Sequence, residues 1–338
     1  MHDAVIAGIE RELYEERSLV RMLAMRRTLF VVPREIVPIV QSAASRSVAR
    51  DQRRRLARFL EEHGIAPDGE AWLADVLPAT VRALGELGEA VSTEISAAEP
   101  RLREQMLLSP GKRYEARQSV AVPALTVLSA EGRIIRGRPR GSWISSQYRW
   151  TTAERWLGAP IPEVQIERAR AELVRLWLRS FGPATVNDIR WWTGWPLRDV
   201  RRSLEALDIA AVDMDGVAGV VLADDLGPTQ PVAPWLAFLP ALDPTTMGWQ
   251  ERDWYLGPHR PVLFDRNGNA GPTIWLDGRI VGGWTQRKDG TIAYRLLEDV
   301  GREVTIDTDA EAERLCSWMG ETRFTMRFPS PLSRELGE

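Results

Sequence analysis

Residues 162–222 read PEVQIERARAELVRLWLRSFGPATVNDIRWWTGWPLRDVRRSLEALDIAAVDMDGVAGVVL. Apolar residues recur between Ile166 and Trp177 at the spacing of one helix face, which predicts an amphipathic helix. Thr185 is followed three residues later by Asp188, a pattern typical of a capping box at the start of a second helix. This second helix is predicted to be short, because helices commonly end at a glycine such as Gly194.

A third helix is predicted from Leu197, and its outer side carries three arginines: Arg198, Arg201 and Arg202. Beyond it, two short β-type runs flank Asp215-Gly216, a dipeptide that favours a two-residue hairpin turn. The order helix, short helix, helix and hairpin is typical of a winged helix, in which the third helix reads a DNA groove and the hairpin is the wing. Units of this kind also serve as protein–protein modules, so this segment alone leaves both functions open.

A second unit of the same kind is predicted upstream. An apolar-faced helix at 119–130 precedes a strand at 133–137, a turn at 138–141 and a return strand at 143–150. Four arginines lie on and beside this wing, where they suit phosphates or a narrow minor groove: Arg133, Arg136, Arg138 and Arg140. A solvated hairpin tip is the alternative, but two wings in one chain favour DNA binding.

The N-terminal residues are predicted to be the back end of a further unit. Leu19–Leu23 and residues 26–32 can pair as β-structure, and Pro33 begins another helix. Arg26 and Arg27 are candidate DNA contacts in this hairpin. Because few residues precede it, we expect that the chain begins inside a domain.

The character of the sequence changes from Pro231 onward, where short β-type runs alternate with turns. The turns are predicted at three dipeptides: Asn267-Gly268, Asp277-Gly278 and Asp289-Gly290. A final helix is predicted over residues 308–319. We interpret this part as a small barrel or a strongly curved sheet with one helix. We expect Trp254 and Tyr255 to pack into its core rather than to stack on an unpaired base.

Together these patterns predict an α+β fold of tandem winged-helix (helix-turn-helix) units followed by a small β-barrel-like C-terminal domain. A chain of 338 residues, 44% of them hydrophobic, can form several small cores. Four regions are expected: 1–62, the C-terminal part of a first winged-helix unit; 63–161, a second unit; 162–228, a third unit; and 229–338, the barrel-like domain.

The net charge of −3 hides an uneven distribution. Residues 1–202 carry 32 basic and 25 acidic side chains, whereas the rest of the chain carries 12 and 22. Binding to nucleic acid depends on the local field rather than on the total charge. The basic first two-thirds of the chain are therefore compatible with DNA as the partner.

Several classes of function are excluded by what the sequence lacks. The single cysteine, Cys316, allows no disulfide framework or cysteine-rich zinc site, and the histidines His2, His63 and His259 have no ligand spacing. We therefore expect no metal. We also expect no cofactor, because the sequence has no phosphate-binding glycine loop. With neither a membrane-length apolar run nor a secretory signal, we expect a cytoplasmic protein without a membrane partner.

Four segments carry a resemblance to a known family. They are LVRMLAMRRTLFVVP at Leu19–Pro33, LPALDPTTMGWQERDWYLG at Leu239–Gly257, NGNAGPTIWLDGRIVGGWTQR at Asn267–Arg287 and RFTMRFPSPLSREL at Arg323–Leu336. The chain resembles the bacterial winged-helix DNA glycosylases of the AlkZ and YcaQ type. The resemblance implies tandem winged helices around a concave DNA-binding face, closed by a β-barrel. It also implies metal-free removal of alkylated bases, including those in interstrand crosslinks.

In that family, base removal is assigned to a Gln-x-Gln or Gln-x-Asp motif in the first winged helix, upstream of the segment that matches Leu19–Pro33. No glutamine of this chain has Gln or Asp two residues further on. We therefore assign the catalytic role to no residue of this sequence. The leading hypothesis is a monomeric protein that binds double-stranded DNA, including alkylated DNA, and lacks the catalytic segment. The alternatives are an active alkylbase DNA glycosylase whose start lies upstream, and a non-enzymatic transcription regulator.

Overall fold

The computed structural model describes residues 6–109, 111–113, 115–326 and 329–338. These residues form a mixed α and β structure, as the sequence predicts. The chain divides into two compact units: Met1–Leu176 with Arg201–Leu207, and Trp177–Val200 with Asp208–Glu338.

The α-helices of the described residues are α1 (Ile6–Tyr14), α2 (Val37–Val40), α3 (Arg46–Glu62), α4 (Gly69–Leu87), α5 (Ser92–Ala98), α6 (Ala121–Ala130), α7 (Ala153–Leu157), α8 (Ile166–Phe181), α9 (Val186–Thr193), α10 (Leu197–Glu205), α11 (Asp253–Leu256), α12 (Arg260–Leu263), α13 (Arg302–Met319) and α14 (Pro331–Gly337). A π-helical turn, Gln41–Ser45, joins α2 to α3. None of the helices in the described part of the chain is long and apolar enough to cross a membrane.

The strands are β1 (Leu19–Leu23), β2 (Leu29–Pro33), β3 (Glu89–Val91), β4 (Gln105–Leu108), β5 (Ala116–Ser119), β6 (Ile134–Pro139), β7 (Tyr148–Thr152), β8 (Ile209–Met214), β9 (Val217–Leu222), β10 (Leu236–Leu239), β11 (Thr273–Leu276), β12 (Arg279–Gln286) and β13 (Ile292–Leu296). They pair in the hairpins β1–β2, β4–β5 and β8–β9, in a sheet of order β3-β7-β6 and in a sheet of order β10-β11-β12-β13.

The first unit is built around a core formed largely by α3, α4 and α6. On α3, the buried residues Ala49, Leu56, Ala57 and Leu60 recur at helical spacing, which leaves the opposite side to the solvent. Helix α4 is capped by Asp68, whose side chain accepts a hydrogen bond of 2.9 Å from the backbone N–H of Ala71. This cap satisfies one of the free N–H groups at the helix start.

The predicted N-terminal hairpin is present, with two corrections. Strands β1 and β2 pair from Leu19 against Pro33 to Leu23 against Leu29. Arg26 and Arg27 lie in the turn rather than in the second strand, since both have left-handed backbone angles, with φ of 51° and 60°. Pro33 ends β2 rather than beginning a helix, because a 3-10 turn, Arg34–Ile36, comes before α2.

The hairpin β6–β7 has a longer loop than the sequence predicts. The return strand begins at Tyr148 rather than at Trp143. The loop turns within itself, because the N–H of Ser145 donates to the carbonyl of Ser142. Trp143 and Ile144 are 42% and 46% exposed, so their apolar character does not specify a buried strand position here.

The order α8, α9, α10, β8 and β9 agrees with the predicted order of helix, short helix, helix and hairpin. The capping box is confirmed: Asp188 N–H donates to Thr185 Oγ1 and Thr185 N–H donates to Asp188 Oδ2, both at 3.1 Å. Gly194 ends α9 with φ of 73°. Asp215 and Gly216 turn between β8 and β9 with positive φ, the conformation that an Asp-Gly hairpin requires.

The C-terminal part of the second unit contains an antiparallel four-stranded sheet whose strands pair in chain order. Turns at Asp277-Gly278 and Asp289-Gly290 join its last three strands as predicted, whereas Asn267-Gly268 closes only a single bridge between Phe264 and Ala270. Helix α13 begins at Arg302, six residues before the predicted position, and α14 was not predicted.

Candidate nucleic-acid interface

The four arginines predicted on the β6–β7 wing differ in their surroundings. Arg133 is partly exposed, and its Nη1 lies 3.8 Å from Glu131 Oε2. Arg140 is exposed at the start of the loop. Arg136 and Arg138, by contrast, are held by other side chains of the first unit. The wing therefore does not present four equivalent cations to a phosphate backbone.

Arg136 packs among aromatic rings. Its Cζ lies 5.3 Å from the ring centroid of Tyr148 and 5.1 Å from that of Trp150, which are cation–π distances. Burial lowers the pKa of the Arg136 guanidinium, and the nearby charge of Arg21 lowers it further. Arg136 therefore supports the hairpin from within and is a poor candidate for a phosphate contact.

Arg138 is exposed, but it is engaged by α1 and the residue that follows it. Its Nη1 lies 3.0 Å from Glu10 Oε2, and its Nη2 lies 3.1 Å from Glu15 Oε1. The guanidinium also lies over the ring of Tyr14, at 4.9 Å. Two carboxylates thus occupy the positions that phosphate oxygens would take on this side chain.

The remaining predicted arginines lie at two other places. Arg26 and Arg27 are exposed at the tip of the β1–β2 hairpin. Arg198, Arg201 and Arg202 are exposed on α10, spaced so that they share one side of the helix. The side chains of Arg198 and Arg202 are 86% and 73% exposed, so their ion pairs leave most of each guanidinium open to solvent.

Helix α3 carries basic residues that were not predicted as DNA contacts. Four exposed arginines recur at every fourth residue along it, and we call them the α3 arginine row: Arg46, Arg50, Arg54 and Arg58. Residues at this spacing follow one another along a helix at intervals of about 6 Å. The signal was present in the sequence as the run RSVARDQRRRLAR, in which arginines recur at every fourth residue.

Two clefts of the first unit lie beside the start of this row and share Arg46 and Glu131. One has a volume of about 640 Å³, and its lining includes Ser42 and Arg50. The other, of about 520 Å³, includes Gln41, Arg133 and Glu154. Both are within the size range of small-ligand sites.

The tryptophan-rich segment of the second unit, residues 247–257, is only half buried. Tyr255 is 1% exposed, as predicted for a core residue, and its hydroxyl donates to the carbonyl of Thr246. Trp254 is 66% exposed, so the prediction that it packs into the core is wrong. It contacts Trp249 and Tyr255 edge to face, with ring centroids 5.2 Å and 4.8 Å away.

Metal-ligand clusters are absent from the described ranges, where no group of three His, Cys, Asp or Glu side chains could hold an ion. Cys316 is a free thiol, and its Sγ lies 3.5 Å from the carbonyl oxygen of Gly290. The residues described above form a set of exposed arginines on several elements, with two clefts beside the start of the α3 arginine row.

Comparisons with known proteins identify a family and a similar fold. The sequence model of a family described as DNA glycosylase AlkZ-like matches residues 6–318. Among solved structures, the chain is similar to the DNA glycosylase AlkZ of Streptomyces sahachiroi, with a TM-score of 0.68 and 20% sequence identity over 92% of this chain and 82% of that one. At this identity the similarity is one of fold. Curated protein sequences gave no match.

Proposed function

The chain belongs to the DNA glycosylase AlkZ-like family, and from this membership we propose that it binds double-stranded DNA and acts in the repair of alkylated bases. The observation that carries the proposal is the α3 arginine row. It places four exposed arginines on one helix, in the basic part of a chain of that family. Arg46 and Arg58 form surface ion pairs with Glu163 and Glu62, and such pairs are readily exchanged for phosphate. Guanidinium groups bind phosphate oxygens by charge-assisted hydrogen bonds.

Further contacts are proposed at the other exposed arginines. They are the hairpin tip with Arg26 and Arg27, the α10 side chains of Arg198, Arg201 and Arg202, and the wing residues Arg133 and Arg140. Phosphate contacts of this kind position a protein on DNA without reading the sequence. A repair protein needs such contacts because its lesion can occur in any sequence.

The proposal includes the predicted organisation. Residues 1–62, 63–161 and 162–228 are interpreted as one partial and two complete winged-helix units, and residues 229–338 as a β-rich barrel-like domain. In this interpretation α10 is a groove-reading helix and β8–β9 is its wing. The element order of α8, α9, α10 and the β8–β9 hairpin supports the third unit.

The chemistry of base removal suits a protein without a metal. An N-alkylated purine is cationic and is already a good leaving group. The protein therefore has to stabilise the sugar cation and to position a water molecule rather than to protonate the base strongly. We assign no residue of the described chain to this step.

Binding is tested by fluorescence anisotropy on a duplex with and without one N7-methylguanine. We expect the affinity to fall steeply between about 50 and 200 mM salt, because each phosphate contact releases counterions. The double variant Arg54→Gln, Arg58→Gln should bind both duplexes about ten-fold less tightly, and it should show a shallower salt dependence. The control Arg302→Gln, Arg314→Gln removes the same charge from α13 and should bind like the wild type. Affinity that does not change with salt would contradict the proposal.

Base removal is tested on the same alkylated duplex by measuring the released N7-methylguanine. Release identifies the chain as an active glycosylase. Salt-sensitive binding without release identifies it as a family member that binds DNA without excising the base.

A further inference from the structure

The π-helical turn Gln41–Ser45 contains an unusual concentration of unsatisfied polar atoms. All five of its residues are buried. Within the described part of the chain, Gln41 Oε1, Ser42 Oγ and Ser45 Oγ have no hydrogen-bond partner. Buried polar atoms without partners cost stability, and π-turns occur frequently at functional sites. Ser42 lines the first of the two clefts and Gln41 lines the second. Their unsatisfied atoms therefore point to a ligand.

The carboxamide of Gln41 is held in one orientation. Its Nε2 donates to the carbonyl of Ala130 at 2.9 Å, which leaves Oε1 as a fixed acceptor. Gly132 lies next to this oxygen, and a Cβ at that position would be 3.0 Å from it. A side chain at this position would therefore displace the carboxamide or Ile161, so a glycine here keeps Gln41 in place.

Two guanidiniums of the α3 arginine row lie on the same clefts. Arg46 is 2.9 Å from Glu163 Oε1, but Glu163 is 85% exposed, and an ion pair at such a surface is readily exchanged for another anion. Arg50 is exposed and lines the cleft that contains Ser42. Arg53, in contrast, is engaged by Glu70 and Glu131.

We propose that the two clefts form a nucleotide-binding site, in which Arg46 and Arg50 hold a phosphate while Gln41 and Ser42 bind the polar edge of the base. The nucleotide can come from two sources. One is a residue displaced from duplex DNA, which rests on the proposed function. The other is a free mononucleotide.

The chemistry of the clefts selects this class of ligand. Gln41 Oε1 only accepts, so the ligand must present an N–H or O–H donor, such as the amino group of a base. A phosphate ion would suit the guanidiniums, but it has no flat apolar face. Ala43, Ala49 and Ile166 add an apolar wall for the flat face of a ring. A nucleotide supplies the donor, the anion and the flat face together.

The test compares a fully paired duplex with the same duplex carrying one extrahelical nucleotide, both by anisotropy. We expect the wild type to bind the bulged duplex about ten-fold more tightly, the gain that one well-bound base supplies. A deoxynucleoside monophosphate, titrated by calorimetry, measures occupancy of the same site by the free molecule.

Matched variants distinguish nucleotide binding at this site from effects on duplex binding or on the folding of the turn. Ser42→Ala should lower the preference for the bulged duplex about five-fold, the usual effect of one hydrogen bond, and Arg50→Gln should nearly abolish the preference. Ser45→Ala is the control for the first, because Ser45 is equally buried but does not line either cleft. Arg54→Gln is the control for the second and should weaken both duplexes equally. Ser42→Ala should melt no lower than the wild type, since its hydroxyl has no partner to lose.

Equal affinity for the two duplexes, with no binding of the mononucleotide, overturns the site but leaves duplex binding, and so the proposed function, intact. If neither duplex binds to the protein, the proposed function fails. The mononucleotide titration then decides whether the clefts bind a nucleotide, and its failure overturns the site as well. An equal loss of preference in Ser42→Ala and Ser45→Ala also overturns it, because that result indicates a change in the whole turn.

Discussion

His63 follows α3 with both ring nitrogens close to backbone carbonyl oxygens. Nδ1 lies 2.8 Å from the oxygen of Phe59, and Nε2 lies 2.9 Å from that of Leu107. Both oxygens can accept a hydrogen bond only if both nitrogens carry protons. The hydrogen bonds to Leu107 and Phe59 therefore raise the pKa of His63 above its ordinary value.

This raised pKa predicts a stability that depends on pH. The folded pKa exceeds the unfolded one, so the stabilisation by His63 is complete below about pH 6.5 and is lost as the pH rises through the folded pKa. His63→Gln should therefore destabilise the protein more at about pH 5.5 than at about pH 8.5. Urea unfolding of both proteins at the two pH values measures this difference. A destabilisation that is the same at both would contradict the assignment.

Arg138 provides a second prediction, because Glu10 and Glu15 hold its guanidinium. The double variant Glu10→Gln, Glu15→Gln should raise affinity for duplex DNA about five-fold, since it frees one cation for a phosphate. The same change in an Arg138→Gln background should give a much smaller gain. Anisotropy titrations at low salt compare the four proteins. Equal gains in both backgrounds would show that the effect is only the loss of negative charge.

Residue types were predicted better than residue environments. The arginines of the wing are visible in the sequence, but their partners are distant in it: Glu10 and Tyr14 reach Arg138 only through the fold. Trp254 is an apolar residue that lies at the surface, 66% exposed, with its ring against Trp249 and Tyr255. Neither environment follows from local pattern.

At the scale of elements, Asp188 does more than close the capping box of α9. Its Oδ1 accepts the backbone N–H groups of Gln250 and Glu251, at 2.7 Å and 2.8 Å. Its Oδ2 accepts from Thr185. One buried carboxylate thus joins the start of a helix to a loop more than sixty positions later in the chain.

Replacing Asp188 should therefore cost more than the loss of a cap. Asp188→Ala removes hydrogen bonds to a charged group in both elements and should lower the free energy of unfolding by about 3 kcal/mol. Thr185→Ala removes mainly the cap and should cost about 1 kcal/mol. Denaturant unfolding of the two variants gives the comparison. Equal costs would mean that the bonds to Gln250 and Glu251 contribute nothing.

The bounds of an element were predicted closely where capping residues mark them in the sequence, and poorly where no such residue is present. Thr185, Asp188 and Gly194 mark the ends of α9 because capping is a local interaction. The start of α13 carries no such signal, since its N-cap residue is Gly301, which has no side chain to accept a capping hydrogen bond. The loop before Tyr148 was misassigned because Trp143 and Ile144 look like strand residues but are not buried.

At the scale of the whole molecule, the two compact units do not follow the linear order of the chain. The residues of α8 and of α10 are each divided between the two units. A prediction that works along the sequence assigns each helix to one region, so it has no means of anticipating this division. The basic and acidic parts of the chain, however, are visible in the sequence, and they place the predicted DNA contacts in the first two-thirds.

The π-helical turn Gln41–Ser45 also bears on how such a site can arise or disappear in a lineage. A π-turn holds one residue more than an α-helical turn, so it is equivalent to a one-residue insertion within a helix. Each residue advances an α-helix by about 100°. The wider π-turn absorbs this angle locally, so deleting one residue here would restore regular α-helical geometry while α2 and α3 keep their orientation, and it would move the side chains of the turn relative to the clefts. The gain or loss of a single codon is thus enough to create or remove this turn.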